Sequence, residues 1–373
     1  MVHSGSWIGA KLERVTITPM KRVLVVRNDK IGDFMLAWPA LALLKGAGCH
    51  VTVLAPAYTE PLARLCPYVD EVLLDPGKDA DQAQQAALLV RIIAGKFDAA
   101  LTLFSTWRVG MLLRKAQIPY RLAPATKLAQ ILYNHRLAQR RSRSEKPEWE
   151  YNLDLAAVLL KDLGLPVGFV VGPYLSFKGG EVIAKRQAMA TALSLPTDTR
   201  WMMVHAGSGG SANNLSLSQY EELVVALSKR LPGWVFVLTA GAAEQTAIGH
   251  LMSNLINRQV PVAMSVGRDL TEFARDIAVA DAFMAGSTGP LHIAGALDVP
   301  TIGFYPLRRS ATALRWQTLN SPKRRLAISP TDAMPDRESF KGLDVEAVAQ
   351  EICAWIDSAE QPPVVALDDA MGV

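Results

Sequence analysis

The sequence predicts an α/β protein of two domains, each a parallel sheet flanked by helices, and three observations predict it. The first is the run 22–54, which reads as strand, polar loop, helix and strand. That order is a βαβ unit, whose strands must be parallel and whose strand ends face a ligand crevice. The second is a restart: after a segment at 164–176 holding Gly164, Pro166, Gly168, Gly172 and Pro173, the same rhythm begins again. The third is size. The chain has 373 residues, 50% hydrophobic and 20% charged, enough apolar material for two cores.

Taken in order, Arg22-Val23-Leu24-Val25-Val26-Arg27 is a β-branched strand, and Asn28-Asp29-Lys30-Ile31-Gly32-Asp33 is the loop after it. A helix starting near Phe34 carries Leu36, Ala37, Leu41, Leu43 and Leu44 on its apolar side, and Gly46 and Gly48 end it before a strand at 51–54. Strands at 71–74 and 97–103 bracket a helix at 83–94; 106–114 and 127–137 both have helical spacing, 140–150 reads as a charged loop, and 151–163 as a helix stopped by Gly164. The domain boundary is placed between 172 and 173. Beyond it come a helix at 181–193, a strand at 201–205, a glycine-serine loop at 206–212, a helix at 218–230 and a strand at 234–238. A helix at 270–280 then feeds a strand at 281–285; a strand at 299–305 and an amphipathic helix at 345–357 complete the pattern. No sequence repeat underlies the shared rhythm.

Composition excludes several classes. A formal charge of +4 is too mild to indicate nucleic-acid binding from net charge. No apolar run reaches the ~18 residues of a spanning helix, and the first residues lack the charged-then-apolar build of a signal peptide, so a cytoplasmic location is expected. Cys49, Cys66 and Cys353 have no metal-ligand spacing and pair into no disulfide framework. The basic residues are clustered, with Arg136, Arg140, Arg141, Arg143 and Lys146 in one segment and Arg308, Arg309, Arg315, Lys323, Arg324 and Arg325 in another. Such clusters are either solvated loops or a surface for an anionic substrate or the negative face of a membrane.

The stretch Gly286-Ser287-Thr288-Gly289-Pro290-Leu291-His292 follows a short apolar strand and opens a helix, so its backbone N–H groups and the helix dipole form a seat for phosphate. Pro290 suits the first helical turn, where its missing donor costs nothing. The same residues would also serve as a plain cap and turn. In the first half, Asp33 lies at the crevice mouth, where its carboxylate can cap the helix starting near Phe34.

Three motifs now stand in order: the strand and loop 22–33, then His205-Ala206-Gly207-Ser208-Gly209-Gly210-Ser211-Ala212, then 286–292, with Gly241-Ala242-Ala243-Glu244 between the last two. Together they resemble the family-9 glycosyltransferases, the heptosyltransferase family of lipopolysaccharide assembly. The resemblance implies a GT-B architecture, two Rossmann-like domains facing across a cleft, with acceptor on residues 1–172 and nucleotide sugar on 173–373. It implies an inverting transfer of heptose from ADP-heptose to a lipopolysaccharide inner-core acceptor, an anionic glycolipid, with peripheral contact to the inner membrane. Asp33 matches the family's base. Gly207 and Ser208 match one phosphate loop, Ser287, Thr288 and Gly289 the other, Glu244 the acid that accepts from ribose hydroxyls, and His292 a phosphate or sugar contact. Arg27, Lys30, Arg140 and Arg141 are expected on the acceptor side.

No Asp-x-Asp motif appears, so transfer without metal or other cofactor is expected. The resemblance departs at two positions. Many members carry a lysine about eight residues after the motif histidine, where this chain has Asn213, and some carry an acid where it has Ser287. These departures leave open another nucleotide sugar, a protein acceptor, or a nucleotide-sugar-binding relic without activity. An NAD-dependent oxidoreductase is disfavoured, because no Gly-x-Gly-x-x-Gly follows the first strand.

Overall fold

A computed structural model describes residues 20–126, 128–207, 214–331 and 339–360. Ser208 and Asn213 lie outside the described residues. The first half runs β1 (Arg22–Val26), α1 (Ile31–Met35), α2 (Trp38–Gly46), β2 (His50–Pro56), α3 (Glu60–Leu65), β3 (Glu71–Asp75), α4 (Gln82–Ala94), β4 (Ala99–Thr102), α5 (Trp107–Lys115), β5 (Tyr120–Pro124), β6 (His135–Leu137) and α6 (Glu148–Asp162). The second runs α7 (Gly179–Leu193), β7 (Arg200–His205), α8 (Leu217–Arg230), β8 (Trp234–Ala240), α9 (Gln245–Asn257), β9 (Val262–Val266), α10 (Leu270–Ile277), β10 (Ala282–Gly286), α11 (Gly289–Ala296), β11 (Thr301–Phe304), β12 (Arg325–Ile328) and α12 (Val345–Glu360).

Each half forms one six-stranded parallel sheet, ordered β3-β2-β1-β4-β5-β6 and β12-β11-β10-β7-β8-β9. Counted from its own first strand, each has the doubly wound order 3-2-1-4-5-6, so the topology repeats where the sequence does not. Both sheets are covered on both faces, and the strands alternate between two cores. Val23 and Val25 face a core that continues across both halves to Trp201, Met203 and Phe283. Leu24 and Val26 face a core with α4 and α5, while Met202 and Val204 face one with α8, α9 and α12. Parallel sheets need such two-sided cover, which explains the near-continuous apolar strands. Cys49 and Cys66 are buried free thiols, and Cys353 is half-buried. Among the described residues no helix is long and apolar enough to cross a membrane.

Several local expectations are corrected. The helix expected from Phe34 starts at Ile31, so Asp33 sits inside its first turn and Lys30 holds the cap position. It also stops and restarts at Trp38, because Pro39 lacks a donor and its ring would strike the carbonyl of Met35 in a continuous helix. Gly48, at φ +80°, takes the left-handed turn that releases the chain into β2. The helix expected at 127–137 is a single 3-10 turn at Leu128–Leu132 followed by edge strand β6. Asn134 fixes that turn, donating from Nδ2 to the Pro119 carbonyl at 2.6 Å and accepting from the Arg121 N–H at 2.8 Å. Pairing of Leu122 with His135 then outweighs the helical spacing. Strands β5, β9 and β12 and helix α9 escape the sequence pattern altogether.

The halves are joined by a crossing segment and by α6. Backbone N–H groups of Tyr174 and Leu175 both donate to the Ala296 carbonyl at the end of α11, at 2.9 and 3.0 Å. Helix α6 packs on α2 within the first half, where Asn152 Nδ2 donates to the Leu36 carbonyl at 3.0 Å, and its Glu148 N–H donates to the Arg315 carbonyl of the second half at 2.8 Å.

Candidate active site

In a doubly wound sheet, the ligand crevice opens where the strand order reverses. Here that is between β1 and β4 in one sheet and between β7 and β10 in the other. The loops at both points border a single cleft of about 1160 Å³ between the halves. Asp33, Lys30 and Arg27 come from the first switch point; His205, Ser287, Thr288, Gly289 and His292 come from the second, with Glu244 from the end of β8.

The two walls meet at the cleft floor. A Cβ on Gly289 would lie 2.8 Å from Ile31 Cγ2, and one on Gly32 would lie 2.9 Å from His292 Cδ2. Glycine is needed at both positions because the loop carrying the acid touches the start of α11. Asp33 is thereby held beside the phosphate seat predicted at 286–289.

Within that seat the donors differ from those expected. The N–H of Ser287 is taken by the Phe304 carbonyl at 3.1 Å and that of Thr288 by the Gly286 carbonyl at 2.7 Å. Thr288 is the N-cap of α11, with no side-chain cap bond, and Pro290 has no N–H. The first-turn donors without a helical acceptor are therefore those of Gly289 and Leu291. Two buried side-chain atoms, Thr288 Oγ1 and His292 Nδ1, have no hydrogen-bond partner among the described residues. Leaving such groups unpaired costs about 1–3 kcal/mol each, a cost that a bound ligand relieves.

Burial pushes both histidines of the site down to about 4, so each is neutral at pH 7. His205 Nδ1 lies 3.0 Å from Thr239 Oγ1. Gly207 packs so closely on Glu244 that a Cβ there would overlap its carboxylate. Glycine at the end of β7 thus makes room for the acid after β8. Arg268, which pairs with Asp276 at 3.4 Å, and the exposed Arg308 also line the cleft on the wall of the second half.

On the other wall both Arg27 and Arg141 border the cleft, each held by carboxylates. Arg27, expected to meet an acceptor, is 2% exposed, and its guanidinium contacts Asp29 at 2.8 Å, Glu148 at 3.9 Å and Asp33. Burial acts to lower its pKa, but those three carboxylates outweigh burial and the net direction is up. Arg141 is also turned inward, onto Glu148 at 2.6 Å and Gln139 Oε1 at 2.9 Å. Burial, with the like charges of Arg27 and Arg315, lowers its pKa against the pull of Glu148. Arg140 is exposed and does not line the cleft, whereas Lys30 is exposed and does. Asp29, raised to about 7 chiefly by burial and further by Asp33, is opposed by Arg27. Each carboxylate at this wall therefore faces a guanidinium, which makes the group a poor cation ligand.

Glu148, Trp316 and Tyr58 line the cleft without having been singled out in the sequence, and Arg315, noted there only as part of a basic cluster, lines it too. Only the charge run at 140–150 hinted at Glu148. The side chains that pair with it come from β1, from the segment after β6 and from a segment near residue 315.

Comparison with known proteins agrees with this geometry. The model of glycosyltransferase family 9 (heptosyltransferase) matches residues 86–341. A Haemophilus influenzae protein described as a glycosyltransferase is 42% identical over 339 residues, covering 90% of this chain and 97% of its own. Lipopolysaccharide heptosyltransferase 2 of Salmonella typhimurium is 24% identical over 298 residues, covering 76% of this chain and 82% of its own. Among solved structures, E. coli ADP-heptose lps heptosyltransferase II superposes with a TM-score of 0.73 at 20% identity, covering 92% of this chain and 100% of that one. E. coli heptosyltransferase WaaC with ADP gives 0.68 at 19% identity, covering 90% and 99%. At those identities the likeness is one of fold, and the fold is GT-B. The chain is a glycosyltransferase and belongs to glycosyltransferase family 9.

Proposed function

We propose that the protein is an inverting transferase that moves a heptose from ADP-heptose to a lipopolysaccharide inner-core acceptor. The acceptor is bound by residues 1–172 and the nucleotide sugar by 173–373. The observation that carries this reading is the close packing of α1, the helix that carries Asp33, on the start of α11 at the floor of one cleft. Inversion needs a base on one side of the anomeric carbon and a diphosphate seat on the other. The family match begins after Asp33, so the role of that residue rests on its place at the switch point and on the motif it ends.

In this reading Asp33 takes the acceptor hydroxyl proton as the oxygen attacks, a step typically worth ~10²–10⁴ in rate. The N–H groups of Gly289 and Leu291, the Thr288 hydroxyl and the neutral His292 ring receive the departing diphosphate. Preset donors of this kind each contribute roughly 10²–10³. Arg268 and Arg308 supply the charge that the family lysine provides elsewhere, so no metal ion is required. Glu244, seated on Gly207, accepts from the ribose hydroxyls. Lys30 at the rim attracts an anionic acceptor, and exposed Arg140 serves a peripheral contact with the membrane surface.

The test is nucleotide release from a panel of nucleotide sugars, with and without truncated lipopolysaccharide. ADP-heptose alone should give release that depends on the acceptor. Equal or faster release with a UDP-hexose, or dependence on a protein acceptor, overturns the donor or acceptor assignment.

A further inference from the structure

Glu148 begins α6, is 2% exposed, and receives three guanidinium groups. Its Oε1 lies 2.6 Å from Arg141 and 3.9 Å from Arg27, and its Oε2 lies 2.9 Å from Arg315. Arg27 is the residue that contacts Asp33 and Asp29. Arg315 belongs to the other half of the molecule, on the segment that lines the nucleotide side of the cleft through Ser310, Ala311 and Trp316. That segment is tied to the same place by its backbone, since Glu148 N–H donates to the Arg315 carbonyl at 2.8 Å and Arg315 Nη1 donates to the Arg141 carbonyl. Trp316 in turn meets the His292 ring edge-on, with centroids 6.5 Å apart.

One buried carboxylate thus stands between the acid of one wall and the phosphate seat of the other. We propose that Glu148 is a positioning residue that holds Arg27 against Asp33 and, through Arg315, makes that arrangement depend on the two halves being closed on each other. The inference rests on Asp33 acting as the base. Without Glu148, three buried guanidiniums face one another with no anion between them, and unpaired buried charge is strongly destabilising to the arrangement that holds it. Open, the cleft parts Arg315 from Glu148 and exposes Asp33 to water; closed, it fixes the carboxylate beside the donor.

The charged and titratable groups around Asp33 are Arg27 and Asp29 from its own loop, Tyr58 after β2, Glu148 from α6 and the neutral His292 from α11. Removing the Glu148 charge leaves Arg27 less compensated, so Asp33 should release its proton more readily and accept one less well. Removing the Arg315 charge does the reverse. Glu148→Gln should therefore move the acid limb of the kcat/KM profile down by roughly 0.5–1 pH unit and lower kcat about tenfold. ADP affinity should stay within a factor of about three, because the seat at α11 is intact. Arg315→Met should move the same limb upward by a comparable amount. Both variants should show a larger radius of gyration by solution scattering, a readout that needs no turnover.

A merely structural Glu148 would lower thermal stability and leave the limb in place. Limbs that coincide with wild type, limbs that move in the same direction, or scattering unchanged in both variants overturn the proposal. If Glu148→Gln does not fold, Arg315→Met decides alone by the same two measurements. Wild type and Asp33→Asn are run alongside: absence of transfer by wild type, or full turnover by Asp33→Asn, defeats the functional reading, while the scattering still decides the latch.

Discussion

Asp33 and the two buried histidines line the same cleft, and each gives a measurable expectation. Asp33→Asn keeps shape and loses the proton acceptor, so kcat should fall ~10²–10⁴-fold while ADP affinity, set across the cleft, stays within about twofold. A variant keeping half the wild-type rate would remove Asp33 from the mechanism. His205 and His292 titrate near 4 when folded and at 6.5 when unfolded. Between those values the unfolded chain binds protons that the native chain does not, so each histidine contributes stability at neutral pH that is lost as pH falls from 6.5 to 4. Asp29 acts oppositely, since it holds its proton up to about 7 when folded and only to 3.8 when unfolded. Two histidines against one aspartate leave a net loss of stability on acidification through that window. His292→Gln should flatten the slope, which urea unfolding between pH 4 and 6.5 would reveal; an unchanged slope means that His292 is not buried neutral.

At the level of elements, the site is made where strands hand over to helices, and small residues decide how closely those junctions approach. Gly207→Ala would drive its Cβ into the Glu244 carboxylate, displacing the group proposed to accept from the ribose. Both Gly207→Ala and Glu244→Ala should then weaken ADP, by roughly 1–2 kcal/mol each, and the double variant should be little worse than either. Additive losses in calorimetric titration would say that Gly207 and Glu244 act separately. Gly289→Ala presses on Ile31 of the opposite half and so tests the cleft floor, with lower kcat expected alongside weaker ADP binding. The N–H groups of Gly289 and Leu291 at the start of α11 have no helical acceptor, and Thr288 caps the helix without a side-chain bond to either of them.

For the whole molecule, the two sheets border one cleft, and the proposed mechanism draws the groups that stabilise the leaving group from its second-half wall. In the proposed mechanism backbone donors and the neutral His292 ring hydrogen-bond the leaving diphosphate while Arg268 and Arg308 supply the charge, so no metal ion is required. An excess of chelator should leave the initial rate within about a factor of two, and ADP at a hundred times its dissociation constant should still stabilise the protein by about 2.7 kcal/mol. Complete inhibition by chelator, reversed by magnesium, would show that these groups are not enough.

The sequence by itself determined the α/β class, the strands at the centre of each sheet, and the two loops where Asp33 and residues 286–289 stand. These are local properties. Apolar runs of strand length, glycine after a helix, and small residues between strand and helix are visible within a dozen positions. Edge strands β6 and β12 were not legible, because they are three and four residues long, partly exposed, and defined by a neighbour in the sheet. Nor was the pairing of Arg27 and Arg141 with Glu148, since Arg141 reads as part of a basic cluster and Arg27 as an acceptor contact until that carboxylate is brought between them. Only the tertiary structure decided that. A buried charge is settled by partners supplied from distant segments, here β1, the turn before α6 and residue 315, and no spacing along the chain records their meeting.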